Sequence, residues 1–249
     1  MVFSKFRGFD FYRCFGRDGD KLVPADFDGD GQTDRAVYRS GIWFILRSSD
    51  NQTSVLQFGL GGDVPVAADY DGDNRADAAV FRPSEGTWYI LRSKDAQVEI
   101  TRFGLAEDRP TVGDFDGDGK NDIAVFRPST RVWYRIGSRD GAIFIRQFGS
   151  AGDVPVAADY DGDGRADLAV YRGGSWSIET SEDEELNVIE YGLPTDVPVA
   201  ADYDGDARAD IAVFRPETGD WYLLNSHDYQ STVMHWGLNG DAPVPASLR

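Results

Sequence analysis

DYDGDGRAD, residues 159–167, places four aspartates in nine positions, and the same pattern occurs five times in the chain. The copies are here called acidic loops 1 to 5, with positions numbered 1 to 9: DFDGDGQTD at 26–34, DYDGDNRAD at 69–77, DFDGDGKND at 114–122, DYDGDGRAD at 159–167 and DYDGDARAD at 202–210. They begin 43 to 45 residues apart. A regular spacing of this size predicts a repeat architecture in which each copy builds one structural unit.

The negative charge of the chain is concentrated in these loops. The 249 residues carry 43 acidic and 25 basic side chains, a formal net charge of −18. Positions 1, 3, 5 and 9 of the loops hold 20 aspartates, which leaves 23 acidic against 25 basic residues elsewhere. Such a surface repels nucleic acid, and no apolar run approaches the roughly eighteen residues of a membrane span. We therefore expect no nucleic-acid partner and no membrane insertion, and a cation as the partner of the loops.

Each acidic loop is followed by further markers at matching distances. A tryptophan comes first, at Trp43, Trp88, Trp133, Trp176 and Trp221, and then an aromatic–Gly pair, at Phe58-Gly59, Phe103-Gly104, Phe148-Gly149, Tyr191-Gly192 and Trp236-Gly237. Within 62–104, the segments VPVAADY, ADAAVFRP, TWYILRS and QVEITRFG are short, apolar or alternating, and bounded by Gly and Pro, which is typical of β-strands. Four strands in a unit of about 40–50 residues predict one blade of a β-propeller.

The sequence therefore predicts an all-β fold, a β-propeller of four-stranded antiparallel blades forming a single domain over 1–249. We place the repeats at approximately 22–63, 64–108, 109–153, 154–196 and 197–241, with partial repeat units at both termini. The segments 11–31 and 235–249 each have the pattern of a fourth strand followed by a first strand. We expect five blades, with overlapping ends that close the ring, and a truncated larger wheel is the alternative.

The residue types in the acidic loops predict calcium sites. Asp at positions 1, 3 and 5, with Gly at position 6 in three copies, is how an EF-hand loop begins, and oxygen atoms without His or Cys exclude zinc and copper. We expect the position-7 residue to offer its carbonyl and Asp at position 9 to close the shell, because position 12 is Val in every copy. The predicted ligands of up to five Ca²⁺ ions are Asp26, Asp28, Asp30, Gln32 and Asp34; Asp69, Asp71, Asp73, Arg75 and Asp77; Asp114, Asp116, Asp118, Lys120 and Asp122; Asp159, Asp161, Asp163, Arg165 and Asp167; and Asp202, Asp204, Asp206, Arg208 and Asp210.

The loops are not identical, and a metal-free alternative exists. Position 6 is Asn74 in loop 2 and Ala207 in loop 5, and Ala loses about 1 kcal/mol in a left-handed backbone, so we expect loop 5 to bind about fivefold more weakly. A solvated acidic turn without metal is the alternative to calcium. It would leave the carboxylates of every loop to repel one another, so we favour the ion.

The other recurring residues predict structure rather than chemistry. We assign the five tryptophans to the core between blades, and the arginine that recurs in the second strands (Arg39, Arg82, Arg127, Arg172 and Arg215) to structural ion pairs. The histidines, His227 and His235, both lie in the last unit, and no nucleophile–base set recurs, so we expect no enzymatic activity. Tyr229 and Trp236 are weak candidates for a sugar site.

The aromatic–Gly pairs and the DxDGDGxxD loops together resemble the FG-GAP/VCBS repeat family, which occurs in integrin α-subunit propellers, fungal lectins and many bacterial surface or secreted proteins. The resemblance covers nearly the whole chain, although GDVPV at 62–66 and 152–156 stands where the integrin type has Gly-Ala-Pro, so the chain is similar to the bacterial variety. It implies a propeller with calcium in the loop between the first and second strands.

The resemblance implies ligand binding less directly, since one fold hosts many functions. We predict a secreted, extracellular or cell-surface module that binds or adheres to a carbohydrate (as a lectin does) or to a protein. No signal peptide is visible in this chain, so we expect that it was removed or that the chain is a piece of a longer protein. The alternatives are a purely structural repeat domain of a larger surface protein and a polysaccharide-active enzyme.

Overall fold

The computed structural model describes residues 15–243, in which twenty β-strands and no helix are found. Blade 1 contains β1 (Lys21–Leu22), β2 (Arg35–Arg39), β3 (Ile42–Leu46) and β4 (Thr53–Gln57). Blade 2 contains β5 (Val64–Pro65), β6 (Ala78–Arg82), β7 (Thr87–Leu91) and β8 (Val98–Arg102). Blade 3 contains β9 (Arg109–Gly113), β10 (Asp122–Arg127), β11 (Val132–Ile136) and β12 (Ile143–Gln147).

The last two blades repeat this arrangement. Blade 4 contains β13 (Val154–Pro155), β14 (Leu168–Arg172), β15 (Ser175–Glu179) and β16 (Leu186–Glu190). Blade 5 contains β17 (Val197–Pro198), β18 (Ile211–Arg215), β19 (Asp220–Leu224) and β20 (Ser231–His235). In every blade the four strands pair antiparallel in chain order, so the predicted five-bladed β-propeller of four-stranded antiparallel blades is confirmed.

Each sheet is built from one contiguous segment, from β1–β4 to β17–β20. Residues 1–14 and 244–249, which include most of the predicted terminal strands, lie outside the described residues. A shared blade made from both termini therefore stays a prediction. Residues 15–243 contain no helix that is long and apolar enough to cross a bilayer.

The core lies between blades, as the apolar second and third strands predict. Trp43, Trp88, Trp133, Trp176 and Trp221 are 0–9% exposed. Each packs on the aromatic ring paired with it on the second strand, with centroids 5.1–5.6 Å apart. Clusters of buried side chains then join successive blades; one of them places Trp43 of blade 1 with Val80 of blade 2. The assignment of the tryptophans to the core is confirmed.

Four of these tryptophans also fix the aromatic–Gly pair of their own blade. In blades 1, 2, 4 and 5 the indole Nε1–H donates, at 2.8–2.9 Å, to the backbone carbonyl of the aromatic residue in the aromatic–Gly pair. In blade 3, Trp133 Nε1 is buried and has no hydrogen-bond partner among the described residues. Arg131 stands where the other blades have Gly41, Gly86, Gly174 and Gly219, and we attribute the missing indole bond to its Cβ, although the Phe148 N–H still donates to the Arg131 carbonyl at 3.0 Å.

At those four glycines an added Cβ would lie only 2.2–2.7 Å from the carbonyl oxygen of the Gly in the aromatic–Gly pair. Arg131 carries a real Cβ, so the segment at Phe148-Gly149 has to sit farther away. The surroundings of the Gly in the aromatic–Gly pair differ accordingly. A Cβ built on Gly104 would lie nearest to Phe81 of its own blade. A Cβ built on Gly149 would instead lie nearest to Asp153 and Val170.

Blades are joined by hydrogen bonds between consecutive acidic loops. The backbone N–H at position 8 donates to the position-1 carbonyl of the preceding loop, as from Ala76 to Asp26 at 2.6 Å. The same bond joins Asn121 to Asp69 at 2.7 Å, and both Ala166 to Asp114 and Ala209 to Asp159 at 2.6 Å. All the loops therefore lie on one face of the propeller, each in contact with the next.

Candidate metal centres

The aspartate at position 1 shapes each acidic loop. In loop 3, one Asp114 oxygen accepts the N–H of Gly117 at 2.6 Å and the other accepts the N–H of Gly119 at 2.7 Å. The same two bonds recur in the other loops, at 2.6 Å and at 2.8–3.0 Å. Because two N–H groups converge on a single carboxylate, the backbone curls tightly and brings the remaining aspartates towards one point.

Position 6 adopts a left-handed backbone in all five loops. Its φ angle is 80–87° at Gly31, Gly119 and Gly164, 63° at Asn74 and 71° at Ala207. Asn tolerates this region, whereas Ala is strained there by about 1 kcal/mol. The expected curl is therefore present in every copy, and loop 5 holds it at the greatest conformational cost.

The aspartate at position 9 is the buried anchor of the site. Asp34, Asp77, Asp122, Asp167 and Asp210 are 0–1% exposed. One carboxylate oxygen accepts the N–H of position 2 at 2.8–2.9 Å. The other accepts the N–H of a serine in the turn between the third and fourth strands at 2.6–2.7 Å.

Burial raises the pKa of this aspartate in loops 1 to 4, and Asp167 reaches about 7. The two N–H donors oppose the increase, while the aspartate at position 3 adds repulsion. Without a counter-charge, the ionised form of these carboxyls is therefore disfavoured in the fold.

The serines are functional residues that the sequence reasoning missed. Ser48, Ser93, Ser138, Ser181 and Ser226 donate Oγ–H to the aspartate at position 5 at 2.6–3.2 Å. Together with their N–H bonds to position 9, they hold two acidic side chains of each loop. A signal was available, because Ser-x-Asp recurs at 48–50, 93–95, 138–140, 181–183 and 226–228.

Three carboxylates converge in each loop. Oxygens from positions 1, 3 and 9 lie within 4.8 Å of one another in loops 1 to 4, and oxygens from positions 1, 3 and 5 do so in loop 5. In all five loops, position 5 accepts the N–H of position 7 and the serine hydroxyl. The structure thus gathers most of the predicted carboxylate ligands, while the carbonyl role of position 7 stays a prediction.

One orphaned atom tests whether these groups fit a cation. Asp116 Oδ1, at position 3 of loop 3, is buried and has no hydrogen-bond partner among the described residues. A buried carboxylate oxygen that accepts nothing is costly unless a cation binds it. A cluster made only of carboxylate oxygens suits a hard divalent ion such as Ca²⁺.

The basic side chains at position 7 have a role that the sequence did not predict. Arg75, Lys120, Arg165 and Arg208 each lie over the position-4 glycine of the preceding loop, where an added Cβ would approach them to 2.8–3.0 Å. Arg75 also donates two hydrogen bonds to the Phe27 carbonyl, at 3.0 and 3.1 Å. Each loop is thereby covered by the next blade, and a positive charge lies beside each of the first four clusters.

The predicted structural ion pairs lie at the opposite end of the blades and are confirmed. Arg39, Arg82, Arg127 and Arg215 each form two bonds of 2.6–3.0 Å with the aspartate that follows an aromatic–Gly pair. Each guanidinium also stacks on an aromatic ring of the third strand. In blade 4 that ring is replaced by Ser177, and Arg172 lies 3.4 Å from Asp153.

The two weak candidates for a sugar site do not come together. Tyr229, 71% exposed, precedes β20, and Trp236 follows it, so the two rings lie at opposite ends of a five-residue strand. His235 Nδ1 lies 2.7 Å from Asp220 Oδ1, an exposed pair within blade 5. These side chains therefore define no common pocket.

The FG-GAP-like repeat family model matches residues 69–125 and 114–170, a stretch that contains acidic loops 2, 3 and 4. No curated protein matches the chain in sequence. The resemblance drawn from the aromatic–Gly pairs and acidic loops is thereby confirmed.

Solved structures of similar fold include proteins of different kinds. Virginiamycin B lyase from Staphylococcus aureus, in a catalytically inactive form with quinupristin, matches with a TM-score of 0.58 and 10% identity over 88% of this chain and 72% of the lyase. An Agrocybe aegerita lectin that recognises non-reducing terminal N-acetylglucosamine matches with a TM-score of 0.58 and 18% identity over 86% of this chain and 65% of the lectin, so this chain spans about two thirds of its length. A Bacteroides thetaiotaomicron protein of unknown function matches with a TM-score of 0.57 and 13% identity over 92% of this chain and 65% of its own. At such identities the likeness shows the fold alone.

Proposed function

We propose that this chain, a β-propeller built from FG-GAP-like repeats, is a calcium-stabilised binding module that works outside the cell and recognises a carbohydrate or a protein. The observation that carries the calcium part is the set of five carboxylate clusters, one in each blade, with a buried Asp116 oxygen that has no hydrogen-bond partner in the described part of the chain. Five divalent ions would reduce the formal charge from −18 to −8.

Calcium would act on stability rather than on chemistry. Extracellular calcium loops bind at about 0.1–1 mM, and at millimolar calcium a Kd of about 0.1 mM stabilises the folded state by roughly 1.5 kcal/mol per site. Five sites would then contribute about 7 kcal/mol, which is comparable to the stability of a whole domain. In loops 1 to 4, each ion would also offset the burial and the repulsion that raise the pKa of the aspartate at position 9.

The test of the calcium part is thermal unfolding with and without a chelator, together with a count of bound metal by mass spectrometry. We expect five ions and a loss of about 15–25 °C in Tm on chelation, from about 2–4 °C per kcal/mol for a chain of this size. Asp116→Asn should remove one ion, and the control Asp18→Asn, an exposed residue outside the loops, should remove none. A metal-free protein that is indifferent to the chelator in millimolar calcium would disprove the proposal.

The binding role is assigned to surfaces of the propeller outside the acidic loops. The clusters occupy one face of the propeller and consist of ligands for a cation, so we assign them no catalytic role. A glycan array probed in calcium distinguishes the ligands: specific sugar hits support a lectin-like module, and their absence together with capture of a surface protein supports protein adhesion. Turnover of a polysaccharide would contradict the assignment as a non-enzyme.

A further inference from the structure

A cavity of about 230 Å³ lies between blades 3 and 4, next to acidic loop 4. Trp133, Arg135 and Phe144 line it from blade 3, and Arg165 and Glu179 line it from blade 4. We call it the junction cavity. Its volume is below that of pockets for drug-sized ligands, about 300–1,000 Å³, and suits a single sugar ring or a side chain of similar size.

Arg135 is what distinguishes this junction from the others. The equivalent third-strand residues are Ile45, Ile90, Ile178 and Leu223, and all four are buried in the core. The Arg135 guanidinium lies between two rings, 5.3 Å from the Phe115 centroid and 4.5 Å from that of Phe144. Its Nη1 donates to the Phe115 carbonyl at 3.1 Å. Within residues 15–243 the Arg135 side chain has no other hydrogen bond and no ion pair.

A second unpaired guanidinium lines the same cavity. The Arg165 side chain forms no hydrogen bond or ion pair with the described residues. Its counterpart Arg75 donates to the carbonyl of Phe27. The equivalent carbonyl for Arg165 is that of Phe115, which accepts Arg135 instead. The two acids that line the cavity, Glu179 and Glu184, both contact Arg146, which also lines it: Glu179 accepts Arg146 at 2.8 and 2.9 Å, and Glu184 lies 3.1 Å from it. Among the described residues, the cavity is therefore lined by one half-buried guanidinium, Arg135, and one exposed guanidinium, Arg165, whose donors are not matched by protein acceptors.

The acids nearest to Arg135 do not remove this surplus. They are Asp116 and Asp122, which influence Arg135 through space and belong to the carboxylate cluster of loop 3. Their charge is committed to the cation proposed for that loop. Arg135 is half-buried, so a guanidinium with free donors there loses part of its hydration, which a bound anion would offset.

We propose that the junction cavity binds the carboxylate of a sugar acid, with Arg135 as the principal contact and Arg165 beside it. A guanidinium matches a carboxylate in a two-bond fork, and a singly charged carboxylate suits a chain of net charge −18 better than a doubly charged phosphate does. Phe144 also lines the cavity as an aromatic ring, and the Thr180 and Ser181 hydroxyls, which donate to Asp183 and Asp163, leave their oxygen atoms to accept sugar hydroxyls. This inference rests on the binding role proposed above and names its ligand class.

The test is calorimetric titration of the full chain, in calcium, with glucuronate, glucose and N-acetylglutamate. We expect glucuronate to bind, glucose to bind at least about tenfold more weakly, and N-acetylglutamate to bind more weakly than glucuronate. Arg135→Ile restores the residue type of the other blades, so it should fold, and should weaken glucuronate binding by at least about tenfold. The matched control Arg102→Gln removes an exposed arginine of blade 2 and should leave binding unchanged. In a ¹⁵N-labelled sample, glucuronate should shift the indole resonance of Trp133, which lines the cavity.

The outcomes separate this inference from the proposed function. Equal binding of glucose would overturn the carboxylate contact, and tighter binding of N-acetylglutamate would replace the sugar by a peptide carboxylate. No glucuronate binding, in a protein that still holds its calcium and still binds on the glycan array, would overturn the junction-cavity site alone. If chelation leaves the Tm of the wild-type chain unchanged, the calcium part of the proposed function is disproved instead.

Discussion

Replacing Arg131 by glycine is expected to stabilise the protein, because this residue holds blade 3 away from the geometry of its neighbours. Arg131 has a φ angle of 61°, and the four equivalent residues are glycines with φ angles of 62–100°. Its Cβ occupies the place where, at those glycines, an added Cβ would meet a carbonyl oxygen at 2.2–2.7 Å. The displaced segment leaves Trp133 Nε1 buried without a partner among the described residues.

The expected gain combines three contributions. A non-glycine residue in the left-handed region costs about 1 kcal/mol or somewhat more, and an unsatisfied buried donor costs about 1–3 kcal/mol. Against these gains, glycine increases the conformational freedom of the unfolded chain, which lowers the stability by about 0.4–1 kcal/mol. The exposed Arg131 side chain makes no ion pair with the described residues, so little is lost with it. The net change is a stabilisation of about 2 kcal/mol, which corresponds to an increase of about 4–8 °C in Tm.

The assay is thermal unfolding at saturating calcium, with Gly86→Arg as the matched reverse change in blade 2. An added Cβ at Gly86 would lie 2.2 Å from the Gly104 carbonyl oxygen, so this variant should lose the Trp88 indole hydrogen bond and several degrees of Tm. The Trp133 indole proton of Arg131→Gly should also become more protected from exchange. If Arg131→Gly melts at or below the wild-type temperature while Gly86→Arg is tolerated, the displacement of the aromatic–Gly segment is not the reason for the orphaned indole.

Three further predictions follow from individual loops and pairs. Ala207→Gly should raise the calcium affinity of loop 5 about fivefold in a metal titration, because it removes about 1 kcal/mol of strain at a φ angle of 71°; an unchanged affinity would show that loop 5 is limited by something other than its backbone. In chelator, burial raises the pKa of Asp167 from 3.8 to about 7, so the native state binds the extra proton and stability should fall by up to about 4 kcal/mol as the pH rises from about 4 to 7. Urea unfolding at several pH values measures this slope, which Asp167→Asn should reduce and excess calcium should abolish. Ser177→Tyr should give Arg172 the ring that it lacks and stabilise its pair with Asp153 by about 0.5–1 kcal/mol in thermal unfolding, and no gain would mean that stacking does not hold the other four arginines.

The repeat spacing predicted the blade correctly because each strand carries its own signal. The aromatic and branched residues of β6 and β7 are buried on both faces, and their pattern alone identifies them as strands. The first strands were predicted less well, since VPVAADY contains only the two-residue strand β5, Val64–Pro65, and pairing resumes as a single bridge at Ala68. Hydrophobic spacing reports which side chains are buried, and it does not report where the backbone ladder is interrupted.

The candidate metal centres were predictable to the extent that they are local. The positions of the aspartates within nine residues, and the left-handed turn at position 6, follow from the loop sequence itself. The serine hydroxyl that holds position 5 comes from a turn 18 to 20 residues further along, as from Ser48 to Asp30, and the basic side chain that covers each of the first four loops comes from the next blade. These contacts depend on how blades pack, which no pattern within a single loop specifies.

Outside the acidic loops, four departures from the repeat lie close together, and their location bears on function. Arg131 replaces a glycine, Arg135 an isoleucine or leucine, Ser150 a leucine and Ser177 an aromatic residue, and all four lie in blades 3 and 4. Arg131 accompanies the loss of the Trp133 indole bond, Arg135 places a charge where the other blades bury an aliphatic side chain, and Ser177 removes the ring that stacks on the arginine of the second strand. A repeat protein gains nothing in stability from such changes, and violations of local rules are expected where a site has to be accommodated. The junction cavity lies at this same place, which is why we assign ligand recognition to blades 3 and 4 rather than to the more regular junctions between the other blades.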